Sequence, residues 1–235
     1  MAVRALLFDT FGTVVDWRGG LISSMQAWGI ARGVAADWPG LVDAWRAEYV
    51  PSMAEVRTGE REWADLDVLQ RESVEILAPK FGASGLDGHA LDELVRMWHE
   101  LPPWPDSVEG LRRLRTRYVI APLSNGHVAL LVRLAKAAGI TWDVVFGADV
   151  FRHYKPDPDT YLGAAALLGC EPSEVMLVAA HGSDLDAAAS CGLRTCYVSR
   201  PLEYGPDRAV EKWPATGRFD IRVRDLVELA VEMGC

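Results

Sequence analysis

Five short apolar runs, spaced by stretches of helical period, limit what this chain can become. Ala5–Phe8, Val119–Leu123, Val144–Phe146, Val175–Ala180 and Thr195–Val198 each have strand length and read as buried strands. Between them, Val128, Leu131 and Leu134 share one helical face, and Tyr161, Ala164 and Leu168 share another. A last helix is expected over Asp225–Met233, with Leu226, Leu229 and Ala230 inward. Strands alternating with helices predict an α/β core: a parallel sheet with helices on both faces.

Residues 16–99 break that rhythm. They hold no convincing strand, and helical patterns run over Leu21–Ala31, Trp38–Met53, Trp63–Leu77 and Leu91–His99. The expectation is a helical cap over 16–99, inserted into a discontinuous core of 1–15 and 100–235. Pro102-Pro103-Trp104-Pro105 ends the insertion, because proline cannot continue a helix. An insertion after the first strand is well placed to act as a lid. Six of the nine tryptophans (17, 28, 38, 45, 63 and 98) fall in it or at its edges. They suit either a binding wall or, more simply, the core of a small bundle.

The formal charge of −9 argues against a nucleic-acid partner or an anionic membrane surface. No stretch approaches membrane-spanning length. The opening apolar run is short and interrupted by Asp9, unlike a signal peptide. Cys170, Cys191, Cys196 and Cys235 form no C-x-x-C pair. Scattered thiols in an acidic chain suggest a reducing cytoplasm.

Asp9 sits at the tip of the first strand, and Gly12 lets the backbone turn closely around it. Ligand crevices of open α/β sheets lie at the carboxyl ends of the strands. A carboxylate held there among backbone N–H groups is a candidate nucleophile, or else an ordinary turn residue. Three further polar segments end strands at the same edge: Ser124-Asn125-Gly126, Tyr154-Lys155-Pro156-Asp157-Pro158 and His181-Gly182-Ser183-Asp184. Pro156 suits the first turn of a helix. Alone, each segment is an ordinary turn, surface lysine or helix cap; their order and spacing are more specific.

In that order the chain resembles the haloacid dehalogenase superfamily of hydrolases over essentially its whole length, with its Rossmann-like core and helical cap. Asp9, Ser124, Lys155 and Asp184 match the key residues of its four motifs. The runs Phe8-Asp9-Thr10-Phe11-Gly12-Thr13, Leu123-Ser124-Asn125-Gly126 and Tyr154-Lys155-Pro156-Asp157, with Trp45-Arg46, are similar to the L-2-haloacid dehalogenase branch. The resemblance implies hydrolysis of short L-2-haloalkanoic acids to D-2-hydroxy acids through an aspartyl ester. It implies that Asp9 attacks C2, and that Arg46 and Asn125 cradle the halide. Ser124 and the backbone N–H groups of Thr10 and Phe11 would hold the substrate carboxylate. Lys155 would keep Asp9 anionic. Asp184, helped by Thr13, would direct the hydrolytic water, and Tyr161 and His181 would line the substrate site. The expected partners are a 2-haloacid and a halide ion, with a homodimer left open.

No cofactor or metal is expected. Metal-dependent phosphatases of the superfamily carry an acid two residues after the nucleophile, where this chain has Phe11. They carry another at the start of the fourth motif, where it has Ala180. Asp9 and Asp184 alone would make a poor magnesium cage beside Lys155. A close subgroup of the branch reads Ala-Ala-His-Asn before its acid; Ala179-Ala180-His181 matches it, but Gly182 replaces the Asn. Two alternatives stay open: a magnesium-dependent phosphatase of the same superfamily, and a binding protein whose water site has decayed.

Overall fold

The computed structural model of the chain describes residues 2–206, 208 and 214–235. Six strands, β1 (Ala5–Phe8), β2 (Val119–Ser124), β3 (Phe146–Gly147), β4 (Val175–Ala179), β5 (Arg194–Val198) and β6 (Ile221–Val223), form one sheet in the order β3-β2-β1-β4-β5-β6. Every neighbouring pair is parallel. β1 is central: Ala5 is in register with Val119 on one side and Val175 on the other.

Strand side chains alternate between two apolar layers. Leu6, Phe8, Ile120, Met176 and Val178 share one layer with Leu111, Leu130, Leu134 and Leu229. Ala5, Leu7, Leu123 and Leu177 share the other with Tyr161, Ala164, Leu185 and Ala188. Burial on both faces explains why these strands read as continuous apolar runs. Leu6 and Leu7 are fully buried, and truncating either to Ala would cost about 2–5 kcal/mol.

From β1 to residue 100 the described elements are helical: α1 (Trp17–Arg32), α2 (Trp38–Ala47), α3 (Tyr49–Arg57), α4 (Leu66–Leu77) and α5 (Gly88–Arg96), with 3₁₀ turns at Ala78–Phe81 and Met97–Glu100. Aspartates start four of them. Asp16, Asp37, Asp65 and Asp87 accept from the N–H groups of Gly19, Gly40, Val68 and Ala90 at 2.8–3.1 Å. Each satisfies a donor the helix cannot satisfy itself. Most of the insertion's tryptophans are its core. Trp98 stacks on Trp17 at 6.3 Å and meets Trp45 edge-on at 5.6 Å. Trp98 also meets Phe11 at 5.5 Å, so the packing runs directly into the loop after β1. Polar contacts join the insertion to the sheet: Arg57 pairs with Asp157, and the Tyr154 hydroxyl donates to the Ala64 carbonyl.

The remaining helices are α6 (Ser107–Leu114), α7 (Val128–Ala138), α8 (Ala148–Phe151), α9 (Pro158–Leu167), α10 (Gly182–Ser190) and α11 (Leu226–Glu232). Several local expectations are corrected. The pattern over Trp38–Met53 is two helices, because Pro51 has no N–H to give the Ala47 carbonyl. The helix expected from Trp63 begins at Leu66, where Asp65 caps it. Pro158, rather than Pro156, takes the first helical position of α9. Strand β3 starts only at Phe146, and α6 and the edge strand β6 had no expected counterpart.

Candidate active site

Asp9 leaves the end of β1 at the carboxyl edge of the sheet, its N–H donating to the Val178 carbonyl at 3.0 Å. The next turn returns the chain tightly, with Gly12 at φ +88° and the Val14 N–H bonded to the Thr10 carbonyl. Thr13 is thereby brought back beneath Asp9, and its hydroxyl donates to Asp9 Oδ2 at 2.7 Å. The Ala180 N–H occupies a lone pair of the same hydroxyl at 2.9 Å, which leaves the Thr13 proton for Asp9.

Lys155 comes from the segment before α9. Its buried Nζ donates to Asp9 Oδ1 at 2.9 Å and to Asp184 Oδ2 at 2.5 Å. Asp184, in the first turn of α10, also accepts from the Tyr161 hydroxyl at 2.5 Å. His181 lies on the other side of Asp9. Its Nδ1 is 3.2 Å from Asp9 Oδ2, and its Nε2 is 2.9 Å from Glu203 Oε1. Burial opposes the charged form of Asp9, yet Lys155 and His181 hold its carboxyl well below the usual carboxylate range. Burial likewise opposes protonated Lys155, but Asp184 and Asp9 hold its ammonium above the usual lysine range. His181 is pushed up to about 10: burial works against its cation, and the carboxylates of Asp9 and Glu203 outweigh it.

Above these groups lies a cavity of about 190 Å³, small enough for a short acid. Its floor includes Asp9, Asn125, Lys155, His181 and Asp184, and Phe11 forms part of the wall. The insertion supplies the roof through Arg46, Tyr49, Val50 and Met53, with Arg57 beside it. The Arg46 guanidinium lies 4.0 Å from the centre of the Tyr49 ring and 5.2 Å from that of Trp17. Its Nη1 is buried and has no hydrogen-bond partner among the described residues. A buried cationic donor without a protein acceptor, on the wall of a cavity, is suited to an anion.

Not every expected site residue reaches the cavity. Asn125 does, and its Oδ1 also accepts from the Lys155 N–H at 2.7 Å, so it fixes the lysine's backbone. Ser124 and Thr10 are buried beside it but are not among its lining residues; Ser124 Oγ accepts from the Gly126 N–H at 3.2 Å. Tyr161 stands behind Asp184 rather than in the wall. Gly182 offers no side chain, and its neighbour Ser183 lines the cavity instead. Tyr49 and Glu203 had no place in the expected site. Glu203 follows β5, whose carboxyl end opens onto the same crevice, and that placement is the signal that could have found it.

Known proteins resemble this chain in both sequence and fold. A family model described as haloacid dehalogenase-like hydrolase matches residues 3–192. The fold resembles the crystal structure of a defluorinating L-2-haloacid dehalogenase at 46% identity and a TM-score of 0.94, covering 99% of this chain and 96% of the other. A second L-2-haloacid dehalogenase structure is 45% identical, also with a TM-score of 0.94, and 99% of each chain is covered. The (S)-2-haloacid dehalogenase of Xanthobacter autotrophicus is 30% identical over 210 residues, 84% of this chain and 76% of that protein. With the family model matching most of its length, the chain belongs to the haloacid dehalogenase-like hydrolases.

Proposed function

We propose that this enzyme hydrolyses short L-2-haloalkanoic acids to D-2-hydroxy acids through an ester on Asp9, without a metal. The observation that carries this reading is the lysine between two carboxylates. Lys155 Nζ sits 2.9 Å from Asp9 and 2.5 Å from Asp184, so its ammonium already offsets the charge of the two carboxylates that a divalent cation would need. Phe11 and Ala180 offer no oxygen ligand from their side chains. The site is therefore built for a leaving group that departs as a stable anion, without a metal to neutralise a phosphoryl group.

In the first half-reaction Asp9 Oδ1 attacks C2, because Oδ2 already accepts from Thr13 and His181 whereas Oδ1 faces Lys155 alone. The C–O bond forms as the carbon–halogen bond breaks, and the halide leaves with the electron pair toward Arg46 and Asn125. The substrate carboxylate lies beside Phe11 in the same cavity, while Ser124 and Thr10, buried outside its lining, support the turns around it. In the second half, water adds to Cγ of Asp9 and gives a proton to Asp184, which Tyr161 orients. The ester bond to Oδ1 breaks, that proton passes to the departing hydroxy-acid oxygen, and the other water proton is released as Asp9 ionises again.

No described helix is long and apolar enough to cross a membrane. The four cysteines are free, which supports a reducing compartment, and we place the enzyme in the cytoplasm. The decisive experiment is halide release from L-2-chloropropionate with and without EDTA. Equal release supports the reading. Release that chelator abolishes and magnesium restores would overturn it.

A further inference from the structure

Glu203 is almost completely buried, a costly place for a carboxylate without partners. Trp17 and His181 are among its partners. Trp17 Nε1, at the start of α1, donates to Glu203 Oε1 at 3.0 Å, and His181 Nε2 lies 2.9 Å and 3.1 Å from the two oxygens. The loop after the nucleophile is shaped to admit it. Gly12 has φ +88°, and a Cβ there would lie 2.2 Å from Glu203 Oε1. Glutamate, tryptophan and histidine thus form a chain from the insertion to Asp9 Oδ2.

A histidine flanked by two carboxylates can satisfy both only by donating from both ring nitrogens, as an imidazolium. Nδ1–H then points at Asp9 Oδ2, the same oxygen that receives the Thr13 hydroxyl. On the dehalogenase reading above, on which this inference rests, Oδ1 becomes the ester oxygen and Oδ2 the ester carbonyl. We propose that Thr13 and His181 form the oxyanion hole for hydrolysis of the Asp9 ester, and that Glu203 is the positioning residue that keeps His181 charged and correctly aimed.

Charge develops on Oδ2 as water adds to Cγ, and it returns to the carbonyl as the hydroxy acid leaves. Two donors at 2.7 Å and 3.2 Å from Oδ2 stand ready for that moment. Without the Glu203 charge, His181 can fall to a neutral tautomer protonated at Nε2, which would turn a lone pair toward Oδ2 and repel it. The other charged and titratable groups around the ring are Lys155 and Asp184 beside Asp9, Asp16 and Tyr204 near Glu203, and Arg46 and Tyr49 from the insertion. None of them takes the second ring nitrogen.

The test separates the two half-reactions in Glu203→Gln, which preserves shape and the acceptor for Trp17. Halide is followed in a rapid-mixing first turnover, and the Asp9 ester by intact-protein mass. The variant should release its first equivalent of halide within about tenfold of the wild-type rate. Ester hydrolysis should slow by roughly 10²–10³, the worth of one oxyanion donor, so the esterified protein accumulates. Its hydrolysis should also fall as pH rises past neutrality, where the wild type holds its rate. Hydrolysis at the wild-type rate, or an equal loss in both steps, overturns the role of Glu203. No halide from the wild type would overturn the dehalogenase reading instead. Because a buried substitution can unfold the chain, ¹⁵N NMR of His181 in the wild type gives an independent reading. Both ring nitrogens should be protonated at pH 8, and a neutral ring there refutes the proposal.

Discussion

Arg46→Ala should silence the first half-reaction while leaving the fold nearly as stable as before. The two effects can be sized separately. The guanidinium is held between Tyr49 and Trp17, and each such contact is worth about 0.5–2 kcal/mol. Against that stands Nη1, buried without a partner, and an unsatisfied buried donor costs about 1–3 kcal/mol. The terms oppose one another and their midpoints nearly cancel, so the net change in stability should lie near zero, with a loss of at most about 3 kcal/mol. In catalysis they do not cancel. A fixed charged donor that meets the halide only as it departs is worth on the order of 10²–10³ in rate, about 2.7–4 kcal/mol. Urea unfolding gives the first quantity, and single-turnover halide release from L-2-chloropropionate gives the second. Near wild-type release from a folded variant would remove Arg46 from the halide site. A drop in activity that merely tracks a drop in stability would make it a packing residue of the insertion.

The remaining predictions test the covalent route and its charges. L-2-chloropropionate should give D-lactate, because attack by Asp9 inverts C2 once and hydrolysis at Cγ leaves it alone; a racemic or retained product, seen by chiral chromatography, contradicts the sequence of steps. In a single turnover in ¹⁸O-water the label should enter the peptide that contains Asp9 and be absent from the first product; label in that product would falsify the nucleophile assignment. His181 rises from an ordinary 6.5 to about 10 on folding, so its interactions stabilise the protein fully below 6.5 and lose that contribution as pH climbs toward 10. The stability difference between wild type and His181→Asn, measured by urea unfolding, should therefore shrink over that window; a constant difference would mean the ring is not held as a cation.

What the sequence disclosed follows from how local each signal is. β1 and its terminal Asp9 were legible because a strand buried on both faces is apolar at every position, and the carboxylate ends the run. Lys155 and Asp184 were legible through motif order, although only the fold brings Lys155 within 3 Å of both Asp9 and Asp184. β6 was not, since three residues at a sheet edge, two of them part-exposed, carry no pattern. Glu203 was hidden for a different reason. Its importance lies in contacts with Trp17, His181 and the bare backbone of Gly12, which no window of sequence contains. The double role of Asn125, in the cavity and on the Lys155 backbone, likewise exists only once two distant turns meet.

The central position of β1 has a consequence for how the protein is made. Ala5 must find Val119 and Val175, so the strand that carries Asp9 lacks its first neighbour until synthesis has passed β2 and its second until it has passed β4. At ordinary ribosomal speed even the wait for β2 is on the order of ten seconds, during which Ala-Leu-Leu-Phe stays unpaired and sticky. The insertion is made in the interval, and many of its contacts are short-range in sequence, the kind that form quickly. The ladder around β1 closes long afterwards through distant partners. Asp9, made before nearly all of its partners, is among the last to acquire its surroundings. Substitutions that weaken β1 pairing should lower the yield of active enzyme during synthesis more than they lower the activity of molecules that complete folding.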